Sequence, residues 1–506
     1  MNPQSSCPPS QEGSPRAGFP TGKPELRFGL ALLVTGVLLW NFLLFGGFNL
    51  GFALGAIAVL ACSAGYLLAS GCRPDWYSGS LLVFAMLIAG GFARSDDGFI
   101  KYVMLHFLLL AANLGLCLLA GQNRYEPGSL RSLLDAPRVL FSLGFGGMGV
   151  SARGLREAGA GTGTLGKRSG AVALGLAIAL PVLIVMVFLL MRADAAFEGL
   201  MDRLPSANWQ AYLKVMLCGG FCAWMLCSRT LSLRYGAPPL KKEKKGRNIP
   251  LLTVNTVLAA VCLMYGVYLI SQLAYLSGGL SGILPREYTL AQYARRGFFE
   301  MAWLCALNLG ILLFAVRRSG AAGTGGGTSR WLCLFIGLVT VFFVVAASAK
   351  MGMYIGSYGL TCLRFLTEVI MIFLGLSTVL VCLRLFLPKL PCMQIVVLLA
   401  LFMGSGVFWA DMTTQVARYN LHAYRSGTLE SVDISYLSRL GSGAVPVLVE
   451  LAEEGYPEAL DAAADYRNFY PAEDFREWNL SRARSQEALS ELFSPSPGEA
   501  AEVIPQ

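Results

Sequence analysis

Histidine is nearly absent, with two in 506 residues, and charged residues are scarce at 14%. Soluble domains carry about 25% charge. The first scarcity removes the usual general base and the commonest metal ligand. No complete P-loop, no HExxH and no GxSxG near a plausible triad occurs, and thirteen cysteines yield neither a CxxC nor a zinc spacing. The sequence therefore assigns no catalytic residue, and no metal or cofactor is expected. Beyond Asp411 the chain has neither Cys nor Lys, so that tail is no disulfide scaffold. The shortage of charge also excludes an ordinary soluble surface, because a charge at mid-bilayer is costly.

What fills the chain is apolar: 55% of residues are hydrophobic, with a mean hydropathy of +0.57. A spanning helix needs roughly 20 apolar residues to cross about 30 Å of hydrocarbon. Eleven runs meet or approach that length, near 28–46, 49–70, 76–94, 99–120, 170–191, 209–230, 250–276, 297–316, 331–352, 359–386 and 391–410. The first region is split at Gly46-Gly47-Phe48-Asn49 because 28–70 is twice a spanning length. The predicted fold is an all-α polytopic transmembrane helix bundle of about 11 spans, residues 28–410. It follows a disordered segment over 1–27, with its prolines and serines, and precedes a small C-terminal extramembrane helical domain over 411–495. The end, 496–506, is expected to be frayed.

The net charge of +9 hides a split, because the tail from Asp411 has sixteen Asp and Glu against seven Arg. The basic excess lies in loops. Arg124, Arg131, Arg138, Arg153 and Arg156 follow span four; Arg229, Arg234 and Lys241 to Arg247 follow span six; Arg317, Arg318 and Arg330 follow span eight. All come after an even number of spans and agree with Arg16, Lys23 and Arg27 at the start. The positive-inside rule then puts the N-terminus in the cytoplasm and the tail outside. The expected partners are the lipid bilayer, anionic lipid headgroups at the cytoplasmic loops, and an envelope or signalling protein; nucleic acid is not expected. Residues 128–149 mix Leu and Phe with Arg, as an interfacial helix or a plain loop would. The glycines of 319–329 suit a flexible tether.

Ionisable groups within spans are the functional candidates. Topology puts Glu300, Lys350 and Tyr354 at the outer ends of spans eight and nine, with Tyr358 at the following turn. Arg364 lies ~9 Å and Glu368 ~15 Å below that turn, four residues apart, as an intrahelical ion pair would be. With Arg295, Arg296, Asp411 and Arg418 they outline one outward-facing polar pocket. The plainer alternative is a set of snorkelling anchors with one structural ion pair. Asn113, Asn255 and Asn308 read as bonds between helices, His106 as a further interhelical hydrogen bond, and the cysteines as packing residues.

Three stretches carry a resemblance: Tyr293-Ala-Arg-Arg-Gly-Phe-Phe-Glu300; Ser348-Ala-Lys-Met-Gly-Met-Tyr354 with Tyr358-Gly-Leu-Thr-Cys-Leu-Arg364; and Ala417-Arg-Tyr-Asn-Leu421, followed by Tyr436-Leu437 and Pro446. In order and spacing, over roughly 80–455, they resemble the bacterial membrane proteins grouped as domain of unknown function four-one-seven-three, with its relative four-one-five-three. The resemblance implies fold and location and brings no activity. It selects Arg296, Glu300, Tyr358, Arg364 and Asn420; the family pattern has Arg where Lys350 stands. The resulting expectation is a non-enzymatic sensor or accessory component of an envelope complex in the bacterial cell membrane. A transporter or flippase-like carrier of an anionic or lipid-like substrate is the alternative, and a membrane-embedded enzyme the third.

Overall fold

A computed structural model describes residues 23–149, 209–235, 250–280, 298–319, 327–466 and 474–493, with single helical positions at 186, 190 and 192. Among these residues all regular structure is helical. Among the described residues nine helices are long and apolar enough to cross a membrane, and Trp76–Gly91 is a shorter apolar one. They match ten of the eleven predicted spans; 170–191, with Pro181, lies outside the described residues, as do most of 150–208. The large apolar side chains that stay exposed, such as Leu252 at 78% and Trp303 at 76%, are what a bilayer rather than water covers.

The chain divides into two compact units, Met1–Lys242 with Arg467–Glu487, and Glu243–Tyr466 with Ala488–Gln506. In the first, α1 (Lys23–Gly46) packs on α2 (Leu50–Ala69) and on α5 (Trp209–Tyr235), while α3 (Trp76–Gly91) packs on α4 (Gly98–Leu119). Helix α1 begins at Lys23, inside the segment expected to be disordered. The α1/α5 contact is set by small residues: a Cβ on Gly36 would lie 2.7 Å from Ala223 Cβ, and one on Gly219 2.9 Å from Val37 Cα. Such close backbone approach is how helices gain dispersion contacts in lipid, where no hydrophobic drive exists. The predicted break is real: the chain turns at Gly47 and Asn49 before α2 starts.

In the second unit, α6 (Leu251–Leu280), α7 (Phe298–Ser319), α8 (Gly327–Tyr358), α9 (Cys362–Phe386) and α10 (Cys392–Ala410) share a core that includes Cys305, Ile336, Phe343 and Met371. Helix α8 has 32 residues, ~48 Å, and so overruns a ~30 Å hydrocarbon layer. It starts at Gly327 and buries Ser329, so the expected tether ends sooner than predicted. The tail continues as α11 (Met412–Arg425), α12 (Ile434–Ser438), α13 (Val445–Glu453) and α14 (Pro457–Tyr466), then α15 (Leu480–Leu492). Leu421, Leu437, Val445, Leu448, Leu451 and Ala463 form its own core. Pro446 opens α13 and Gly455 follows its end, the punctuation expected of a short helix.

The asparagines do join helices. Asn308 on α7 accepts from the Tyr265 hydroxyl at 2.7 Å and donates to Thr340 Oγ1 at 2.9 Å; Asn255 accepts from Ser329; Asn113 accepts from Arg229. The twelve described cysteines form no disulfide. His106 corrects its expectation: it is exposed, and its Nδ1 lies 2.8 Å from the Tyr102 carbonyl of its own helix. Facing lipid, it has only its own turn to bond.

Candidate functional site

The turn between α8 and α9 is held by the tail. Gly359 has φ +74°, a left-handed conformation that lets α8 stop and α9 start within four residues. The next residue, Leu360, is buried and has both backbone groups taken by one side chain. Its N–H donates to Asn420 Oδ1 at 2.7 Å, and its carbonyl accepts from Asn420 Nδ2 at 2.8 Å. The Cys362 N–H donates to the Tyr436 hydroxyl oxygen at 2.9 Å. Burial pushes the Tyr436 phenol above its ordinary range. Tyr436 thus supplies an acceptor for a backbone donor that the start of α9 leaves open, and Asn420 satisfies the residue before its cap.

Arg364, in the first turn of α9, leans back toward this turn. It donates to the Tyr358 carbonyl at 3.0 Å and to the Gly359 carbonyl, and its guanidinium lies 4.1 Å from the Tyr354 ring centroid. The Tyr354 and Tyr358 rings are 5.2 Å apart. A cation at the C-terminal carbonyls of α8 is favoured by the helix dipole. The predicted Arg364–Glu368 ion pair does not form. Helix side chains tilt toward the N-terminus, so Arg364 is drawn to the turn and leaves Glu368 behind. Glu368 Oε1 is buried without a hydrogen-bond partner, as is Ser348 Oγ.

Glu300 and Lys350 both line a cleft of about 360 Å³ between α6, α7 and α8, with Met264, Tyr265, Tyr268, Met301, Leu304 and Phe343. Tyr265 and Tyr268 meet the Phe343 ring edge-on at 5.6 and 5.4 Å. One carboxylate and one ammonium at the rim of an aromatic and methionine wall suit a ligand with an apolar body and a polar end. Arg295 and Arg296 lie outside the described residues. Arg418 is exposed, so α11 docks through Asn420 rather than through it. Asp411 sits at the joint of α10 and α11, with φ 56°, and accepts from the Thr413 and Thr414 hydroxyls.

Two polar clusters of the first unit escaped the sequence reading. At one end the tail returns. The Leu480 N–H donates to the Ala93 carbonyl and the Leu50 N–H to the Trp478 carbonyl. Asn479 Nδ2 reaches the Ser95 and Phe92 carbonyls at 2.9 and 3.2 Å. Asp96 joins Arg482 at 2.9 Å and Lys101 at 3.4 Å, and Lys101 Nζ donates to Asn49. Lys101 fell within a predicted span, which was the available signal. At the other end Arg229, read as a loop residue, is buried inside α5. Its Nη1 donates to Asn113 Oδ1 at 3.0 Å and its Nη2 to Ser63 Oγ at 3.3 Å. The helix runs on to Tyr235, and the flanking Ser228, Thr230 and Ser232 were the hint of a polar helix face.

A family model described as "Domain of unknown function (DUF4153)" matches residues 28–451. The chain belongs to the DUF4153 family. The resemblance read from sequence named the related family four-one-seven-three first, so the relative it mentioned second is the better match. No curated protein and no solved structure matches the chain. Two of the three motifs that carried the resemblance meet at this turn of the DUF4153 chain: Tyr358 to Arg364 is the turn, and Asn420 is its clamp.

Proposed function

We propose that this membrane protein is a non-enzymatic sensor or accessory component of an envelope complex in a bacterial cell membrane. In this reading the N-terminus is cytoplasmic, the tail is extracytoplasmic and the Glu300/Lys350 cleft faces outward. The observation that supports it best is the double hydrogen bond between Asn420 and Leu360, with the Tyr436 bond to Cys362 beside it. These contacts join the tail domain to the turn that follows Lys350 and Tyr354. A ligand that shifts the end of α8 would thereby be felt by the surface that a partner protein meets. Tyr265 of the cleft wall bonds to Asn308, and Asn308 to Thr340, so among the described residues these polar groups satisfy one another rather than leaving the open donors that a carrier path would need.

Amide hydrogen exchange on the full chain in lipid nanodiscs tests this coupling. Glu300→Gln and Lys350→Ala should alter exchange over residues 433–453 while the core of α13 stays folded. Unchanged tail exchange in both variants would refute the coupling. Accelerated lipid scrambling or solute flux in proteoliposomes would instead establish the carrier reading.

A further inference from the structure

The buried Arg229 of the first unit has a charge that no described residue in contact with it balances. Arg229, Asn113 and Ser63 each lie six residues before the end of their helices, at Tyr235, Leu119 and Ala69. They meet on one level, ~9 Å from those ends. Arg229 is 5% exposed. Its partners are an amide and a hydroxyl, both neutral, and among the described residues it forms no ion pair. A buried guanidinium in that state is expensive unless an anion joins it.

The open edge has a definite shape. Arg229 Nε and Ser232 Oγ are both buried with no hydrogen-bond partner. Three residues apart, they share a face of α5. The Nε edge of a guanidinium is the fork that matches the oxygens of phosphate and carboxylate. The missing partner is therefore an anionic oxygen placed between two unfilled donors. We infer that Arg229 and Ser232 form a binding site for a phosphate group, with Asn113 and Ser63 orienting the guanidinium.

Depth agrees with a phospholipid headgroup. Helix α5 has 27 residues, ~40 Å, against ~30 Å of hydrocarbon, so Arg229 lies only a few ångströms inside the polar boundary. The same end carries Arg124 and Arg131, which favour anionic lipid. Beside it, the short helical turns of Leu130–Gly146 expose Leu130, Leu134, Phe141 and Phe145, an apolar face for the interface. Gly147 lies directly against Ser232, so entry of the group displaces the end of that segment. This site is separate from the Glu300/Lys350 cleft and does not depend on the function proposed for it.

The test uses the full chain, delipidated and returned to detergent with phosphatidylglycerol, phosphatidylcholine or inorganic phosphate. Native mass spectrometry counts bound lipid, and thermal unfolding reads stabilisation by each probe. Asn113→Asp is the decisive variant, because it sets a carboxylate 3.0 Å from Nη1 and supplies the counter-charge internally. It should fold and lose lipid binding by about tenfold or more. Ser232→Ala should weaken binding less, and Arg229→Gln should abolish it. Stabilisation by phosphatidylglycerol above the other probes identifies an anionic lipid; stabilisation by inorganic phosphate alone identifies the free ion. Binding of all three probes that is unchanged in Asn113→Asp and Ser232→Ala overturns the inference.

Discussion

Asn420→Ala should release the α8–α9 turn, and the structure sets the size of the effect. The change leaves the Leu360 N–H and carbonyl unsatisfied at a buried position. Each orphaned group costs about 1–3 kcal/mol. Water can enter a turn at the membrane surface, so the expected loss is roughly 2–4 kcal/mol rather than the full sum. Gly359 makes the test sharper. A Cβ there would come 2.9 Å from Asn420 Oδ1, and the left-handed backbone adds ~1–2 kcal/mol for any L-residue. Gly359→Ala should therefore be costly alone and less so on top of Asn420→Ala, where the clash has gone but the backbone strain remains. The two changes should be non-additive by at least about 0.5 kcal/mol. Buried thiols such as Cys305 and Cys333 allow unfolding to be followed with a thiol-reactive dye. Strictly additive losses, or an Asn420→Ala variant with wild-type stability and no faster exchange at Leu360, would refute the clamp.

On a cysteine-free background, single cysteines placed at 241–247 should be shielded from impermeant thiol reagents in intact cells, and those at 440–455 should label; the reverse pattern inverts the proposed orientation. Tyr436 sets a pH dependence. Its phenol is pushed above the usual value near 10 by burial, so the neutral form favours the folded tail; that contribution is complete below about pH 10 and is lost as pH rises beyond it. The protection of the Cys362 amide, corrected for the base-catalysed intrinsic exchange rate, should fall at alkaline pH in the wild type and be low at every pH in Tyr436→Phe. At the other end of the scale, the hydrogen bonds from Arg476 hold the Asp474 carboxyl below its ordinary range. Its contribution is present at neutral pH and lost as pH falls through that depressed value, so protease sensitivity near 474–479 should appear only in strong acid. Asn479→Ala, which removes bonds to the Phe92 and Ser95 carbonyls, should bring the same sensitivity at neutral pH.

The spans were legible because length and apolarity alone decide them, and the asparagine bonds because an amide in hydrocarbon must find a partner. Charges inside helices were less legible. Arg229 was counted with a basic loop because an Arg near Arg234 looks like a loop residue, and only the continuation of α5 to Tyr235 buries it. Nothing in Ala417-Arg-Tyr-Asn-Leu421 says that Asn faces the turn while Arg faces out; that follows from Val416, Ala417 and Leu421 being the buried stripe of α11. The return of the tail to the first unit had no sequence signal, since Asn479 and Asp96 are 383 positions apart and neither sits in a motif.

The failed ion pair changes what the second unit's charges mean. Spacing of four residues gives proximity, yet Arg preceding Glu is the weaker order on a helix. Two carbonyls and an aromatic face at the turn outcompete the carboxylate for Arg364. Arg364 is thereby a fixed part of the turn, and its removal should loosen the turn before it affects any ligand. Glu368 is left one helical turn deeper, with its Oε1 and the Ser348 Oγ of α8 both buried. Ser348 is two residues from Lys350, which lines the cleft. A displacement of α8 by a ligand at Lys350 would therefore move the Ser348 hydroxyl toward or away from the Glu368 carboxylate. Ser348→Ala should then alter how the tail responds to Lys350→Ala. Arg364→Gln should alter the stability of the turn and leave that response in place.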